Sequence, residues 1–512
     1  MDRQSTYHHH LSPGKPSRPS GQGQQHHRGY GTDWKTLRDQ GLYKEYESSF
    51  DDHRAYIQKT DAIVRRELET RINSLAQNVQ APAGSTMVFN PLPWSRSGVV
   101  DLNGSKFQVD EIPPCGYKIV KSPTDGKPQP LALTNNTLDT PRYKAVFDLK
   151  RGGISSLVDK STGRELVDTT SPYALGQYLH ERFDAKRMHD WHQAYAHPPG
   201  ACITAYVHLD TPKDLTYAAI TPTGWTLSAT RSALFDNVTL TAGDTLGLAE
   251  KVEIVFTFQR NADGIEVDWR PLAKVANPIP EGGWLCFPLT ADQPRYTLGR
   301  LGAPCNPATD IIKGANFDLY CLNTGMSVTD KNGYAVNLCP LDSPIVSLGE
   351  PGLWRYSARF QFPKPTVFVN LYNNMWATNF PYWNEGTWNS RVMIWPTQGR
   401  DASTPADLQI RSWEDRMPLL AACTTGTGKL PAQQSGVGVS RKGVLVTAFG
   451  RNPDGTGSLL RVWEQAGISG DLTINLPTNA KYQTATPVNL RGEKSGDPLQ
   501  ITGGKIAIHL KA

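Results

Sequence analysis

The sequence predicts a mainly β protein made of large antiparallel sandwiches behind an N-terminal helical segment. Three observations carry this. Beyond Ala81-Pro82 the apolar runs are short and often alternate, as at 99–102, 143–149, 252–258, 360–362 and 366–371. Gly, Pro, Asn or Asp separates most of them, from a supply of 45 glycines and 38 prolines in 512 residues. No helical period is sustained there, so the chain lacks the strand–helix alternation of a parallel sheet.

In chain order, residues 1–30 are rich in His, Ser, Gly, Gln and Pro and are expected to form a disordered tail. Residues 31–80 read as helical. Leu42, Tyr46, Phe50, Ile57, Val64, Leu68, Ile72 and Leu75 recur at threes, fours and sevens, and Glu45, Asp52, Arg65, Glu67 and Arg71 fall off that stripe. One helix from 33 to 78 would run roughly 70 Å, and the alternative is two helices with a break. The stripe needs a partner, and left exposed it favours self-association. Residues 83–125 then form a small β-region, 130–400 a large β-supersandwich, and 405–512 a smaller sandwich holding the runs 443–448 and 459–464.

Composition excludes several function classes. A net charge of +5 with no Lys/Arg block argues against nucleic-acid and membrane-surface partners. The apolar runs fall far short of the roughly 18 residues of a membrane span. Met1-Asp2-Arg3-Gln4 leads into a polar tract without the apolar core of a signal peptide, which leaves the cellular address open. The sequons at Asn103, Asn135 and Asn237 are about what chance supplies. Seven cysteines without a CxxC pair suit small buried thiols, with Cys305, Cys321 and Cys339 able to pair only in an exported protein.

The chemistry concentrates at 370–383, which holds Tyr372, Trp376, Phe380, Tyr382 and Trp383 with Asn370, Asn373, Asn374 and Asn379. Aromatic faces stack on the C–H surfaces of sugar rings, and amides match hydroxyls that donate and accept together. Asn373, Asn374, Trp376 and Asn379 are the candidate sugar contacts, with Glu385, Trp388 and Arg391 continuing the stretch. A buried aromatic corner with turn-capping asparagines has the same composition. His180, His189, His192 and His197 lie near Glu181, Asp184 and Asp190, in a spacing that matches no familiar metal-ligand set. Glu281, Asp342 and Glu385 are available carboxylates, but nothing in the sequence sets two of them about 5–5.5 Å apart, as retaining glycoside hydrolysis needs. No catalytic carboxylate is therefore assigned.

Several motifs together resemble glycoside hydrolase family 38, the α-mannosidase-like enzymes. They are Phe89-Asn90-Pro91-Leu92-Pro93-Trp94 with Ser97-Gly98-Val99-Val100, then Ile112-Pro113-Pro114-Cys115-Gly116-Tyr117, then Gly152-Gly153-Ile154-Ser155-Ser156-Leu157 with Asp159-Lys160 and Gly163-Arg164-Glu165-Leu166. Pro280-Glu281 with Trp284, Arg300-Leu301-Gly302-Ala303-Pro304 and Asp342-Ser343-Pro344 follow in the same order. The resemblance implies a galactose mutarotase-like supersandwich over 130–400 and a helical-bundle remnant before it. It also implies retaining, zinc-assisted chemistry on a mannoside or related glycan, with the catalytic carboxylates and most zinc ligands on a preceding barrel. Too few residues precede the first helix here to hold that barrel. His27 matches the family's last zinc ligand, with His26 the alternative, and zinc prefers four ligands. The expectation is the C-terminal part of such a hydrolase, inactive and zinc-free by itself, whose full-length relatives often enter the secretory route. The alternatives are a carbohydrate-binding β-protein that has lost catalysis, or an independent enzyme using β-domain carboxylates.

Overall fold

The computed structural model describes residues 34–82, 84–121, 127–196, 215–361, 363–376, 380–398, 405–453 and 455–512. The helical segment is two helices, Trp34–Asp39 and Lys44–Gln77, broken at Gly41, whose φ of +82° suits a residue without Cβ. The apolar stripe is covered only at its ends. Trp34, Leu37, Tyr43 and Tyr46 pack on Ala276, Tyr382 and Trp383, while Ile72, Leu75 and Ala76 pack on Met87, Tyr117 and Ala422. Between these anchors residues 51 to 71 are exposed throughout, with Ile57 at 73%. Local pairs such as Asp61 with Arg65 support that stretch by only about 0.2–0.5 kcal/mol each.

Thr86–Phe89 pairs with Tyr117–Val120 on one side and Leu420–Cys423 on the other, so the returning chain completes the small β-region. The hairpin Arg96–Leu102 and Ser105–Ile112 closes it by packing Val100, Phe107 and Ile112 on Val88 and Leu419. The large sandwich has a ten-stranded and a six-stranded sheet, and their named strands all pair antiparallel. The six-stranded sheet runs Ala218–Ile220, Gln177–Arg182, Glu281–Pro288, Thr366–Asn373, Ile345–Leu348, Tyr320–Cys321. Its Leu285, Phe287 and Val369 share one core with Phe256, Val267 and Ile394 of the ten-stranded sheet. The protein is mainly β with antiparallel sheets.

Two later helices break the predicted all-strand pattern. Ala185–Ala196 covers the outer face of the six-stranded sheet, with Met188 and Trp191 against Leu179, Trp284 and Phe368. Pro405–Arg416 lies at a three-way junction. Its Leu408 packs on Met393 and Trp395 of the sandwich, and Ile410 and Trp413 pack beside Trp94 and Leu445 of the two smaller β-regions. Half of its buried face is polar, Gln409 and Ser412, so no apolar period announces it. The C-terminal strands close around Val437, Val444, Leu472 and Ile474. The six cysteines among the described residues are all free, and no helix there is long and apolar enough to cross a membrane.

Candidate functional site

At one end of the sandwich interior the apolar filling gives way to polar side chains, and two backbone irregularities deliver them. On regular strands alternate residues face the core, which points Tyr178 and His180 inward beside Glu281. Leu371 continues the inward side of Val367 and Val369, so regular alternation would turn Tyr372 outward. A bulge between Gly283 and Trp284 shifts the register, so that Gly283 faces Tyr372 and Trp284 faces Asn370. The Tyr372 ring then lies over Gly283, where a Cβ would sit 2.3 Å from it. Lys274 has the outward parity of the strand Ile265–Lys274. Ala273 before it adopts φ +48°, with its N–H donating to Thr387 Oγ1 at 2.9 Å, and this turns Lys274 inward.

Lys274, Glu281 and His180 are 4%, 1% and 3% exposed. Lys274 Nζ donates to Glu281 Oε1 at 2.6 Å and to the Asn384 carbonyl at 3.0 Å. The Tyr372 hydroxyl lies 3.0 Å from His180 Nδ1 and 2.5 Å from the Tyr178 hydroxyl. His180 Nε2 and Glu281 Oε2 are 3.9 Å apart, an electrostatic contact rather than a hydrogen bond. Burial pushes the Glu281 carboxyl up to about 7 against the pull of Lys274. Burial and then Lys274 hold His180 neutral, its pKa down at about 3.

Above this floor a cleft of about 640 Å³ opens between the N-terminal helices and the stretches 371–373 and 381–388. Tyr46 and Phe50 line it from the long helix, and Tyr372, Asn373, Asn384 and Trp388 line it from the sandwich. Tyr46 stacks on Tyr382 at 4.4 Å, donates to the Phe380 carbonyl at 2.9 Å and accepts the Tyr382 N–H at 2.6 Å. Arg38 lies 4.9 Å over the Trp383 ring and grips Glu385 with two hydrogen bonds, the shorter 2.6 Å. Aromatic surface, amides and internally neutralised charges suit a small neutral polar ligand.

The candidate residues do not converge. Asn373 lines the cleft, although its Nδ2 already donates to Asn370 Oδ1 at 2.8 Å. Asn374 is a turn lock. Its Oδ1 accepts the Glu281 N–H at 2.7 Å, and its Nδ2 donates to the Tyr382 and Ile279 carbonyls at 3.0 and 3.1 Å. Trp376 belongs to the aromatic group on the opposite face of the sheet, 5.4 Å from Trp191 and 6.1 Å from Tyr195. Asn379 and His27 lie outside the described residues. Sequence reasoning missed Tyr46 and Phe50 as cleft walls, although both sit on the helical stripe that it identified.

The carboxylates do not pair with one another either. Glu385 is held by Arg38, Asp342 by Arg391 at 2.8 Å, and Glu281 by Lys274. On the helix Ala185–Ala196, His189 is exposed and His192 buried, while His197 lies outside the described residues. Among the described residues no group of three or more His, Cys, Asp or Glu could hold a metal ion, so they do not fit the zinc that the resemblance implies.

No protein-family model and no curated protein matches this sequence. Solved structures do resemble it. An α-mannosidase from Enterococcus faecalis superposes with a TM-score of 0.54 at 12% identity, over 86% of this chain and 52% of that one. A glycosyl hydrolase family 38 protein from the same organism gives a TM-score of 0.54 at 11% identity, over 86% and 54%. A galactose mutarotase-like protein from Lactobacillus casei reaches only 0.28 at 12% identity, over 51% and 99%. This chain spans about half the length of the two Enterococcus structures, and at such identities the likeness is one of fold.

Proposed function

We propose that this chain is the C-terminal, sugar-facing part of an α-mannosidase-like glycoside hydrolase, that its cleft binds a neutral glycan, and that it neither binds zinc nor turns over α-mannosides by itself. The observation that carries the binding reading is the cleft, where Tyr46, Phe50, Tyr372 and Trp388 meet the amides of Asn373 and Asn384. The fold likeness to the Enterococcus structures supports the lineage. The inactive reading is supported by the cations that hold Glu281, Asp342 and Glu385, so that none of these three stands as a free acid beside a nucleophile.

The test is calorimetric titration with a panel of methyl glycosides and α-linked mannobiose, beside an aryl α-mannoside turnover assay with and without zinc. Saturable binding without turnover is expected from folded protein. Zinc-dependent release of the aryl group sinks the inactive reading, and failure of every sugar to bind sinks the cleft reading. The bare stretch 51–71 supports one further proposal, that the chain self-associates through this helix.

A further inference from the structure

Five polar side chains at the end of an apolar core are a costly way to fill space, since well-packed apolar residues in place of a buried ion pair are often as stable or more so. The bulge at Gly283 and the left-handed Ala273 add strain at the same spot. Together they point to a working site. We propose that Tyr372, His180 and Glu281 form a coupled chain under the cleft floor, through which binding of a hydroxyl-bearing neutral ligand drives proton release by Glu281.

The proposal rests on the cleft reading above. Tyr372 lines the cleft and lies 3.0 Å from His180 Nδ1, and the other nitrogen of His180 faces Glu281 Oε2 at 3.9 Å. A ligand hydroxyl that donates to the Tyr372 oxygen leaves the Tyr372 O–H to donate to Nδ1. His180, whose Nδ1–H donates to Tyr372 in the free protein, then changes tautomer by exchange with solvent. The Nδ1–H bond breaks, an Nε2–H bond forms, and that N–H, at an electrostatic range of 3.9 Å from Glu281 Oε2, favours the carboxylate. The O–H bond of the Glu281 carboxyl breaks, its proton passes to buffer, and no carbon is oxidised or reduced. The other groups facing Glu281 are Lys274 from the neighbouring sheet, Arg182 opposite it across the strand pair, Asn277 and Tyr178. In the free protein the Glu281 carboxyl sits near neutrality, where such coupling is readable.

Two measurements test this. The first needs no ligand: ¹⁵N-histidine NMR from pH 5 to 9 should show a step in the His180 signal near pH 7 that is absent in Glu281→Gln. The second titrates the methyl glycosides above at pH 6 and 8, and at pH 7 in phosphate and in Tris. Affinity should rise about fivefold from pH 6 to 8 for a one-unit drop in the Glu281 pKa on binding. Binding enthalpies should also differ between the two buffers. Glu281→Gln should lose both effects, and Tyr372→Phe should lose the buffer difference while keeping the free-protein step. A missing step, or binding that ignores pH and buffer, overturns the coupling and leaves the cleft reading intact. A step without sugar binding overturns the cleft reading and the coupling with it, leaving only a titrating carboxyl.

Discussion

At the scale of single residues, identity and role come apart along 370–388. Asn373 and Asn374 are neighbours with the same chemistry, yet one edges the cleft and the other spends its amide on backbone groups of two segments. Asn374→Ala takes a partner from the Glu281 N–H and from the Asn277, Ile279 and Tyr382 carbonyls, and should cost about 1–3 kcal/mol in urea unfolding. Trp376 and Trp388 divide in the same way. Trp388→Ala removes a cleft wall and should weaken glycan binding roughly tenfold, the scale of an aromatic contact with its buried area. Trp376→Ala acts on the far face of the sheet and should leave that affinity within about twofold in the same titration. A larger effect of Trp376 would place the sugar on the outer aromatic group instead.

At the scale of elements, the helix Lys44–Gln77 is a strut held at both ends. A bare helix of about twenty residues is marginal in water by itself, so the end contacts and any external cover decide its order. If a second copy supplies that cover, Ile57→Glu with Leu68→Glu should convert a dimer to a monomer in light scattering at micromolar concentration. A monomeric parent protein under the same conditions would end the self-association proposal. The stripe itself was legible from its spacing. Its exposure was not, because the same apolar face could have been buried along its whole length.

At the scale of the whole molecule, the helix Pro405–Arg416 joins three bodies. Arg411 Nη1 donates to Asp263 at 2.6 Å in the large sandwich, Arg96 Nη1 donates to the Glu414 carbonyl at 2.9 Å, and Trp94 Nε1 donates to Glu414 Oε1 at 2.8 Å. Asp415 in the same turn has a buried Oδ2 without a hydrogen-bond partner, and burial pushes its carboxyl up to about 7 although Arg411 opposes. The unfolded chain holds that proton only below an ordinary value of 3.8. The folded state therefore binds more protons between about pH 4 and 7, so its stability falls as pH rises through that window. Asp415→Asn should flatten the decline and raise the unfolding midpoint at pH 8, as read by calorimetry. An unchanged pH profile would mean that Asp415 is charged and solvated in the folded protein.

The sequence by itself determined the mainly β class, the helical segment and the neighbourhood of the cleft, because alternation, turn residues and apolar spacing are local properties of the chain. It could not reveal the helix Pro405–Arg416, whose buried face includes Ser412 and Gln409, the latter accepting from the distant Thr324 hydroxyl. Nor could it reveal the polar floor of the cleft. His180, Lys274, Glu281 and Tyr372 lie on four different strands, and a register bulge and one left-handed residue turn two of them inward. Strand parity can be read from sequence. The irregularities that break it depend on what lies across the sheet, and only the tertiary structure decides that.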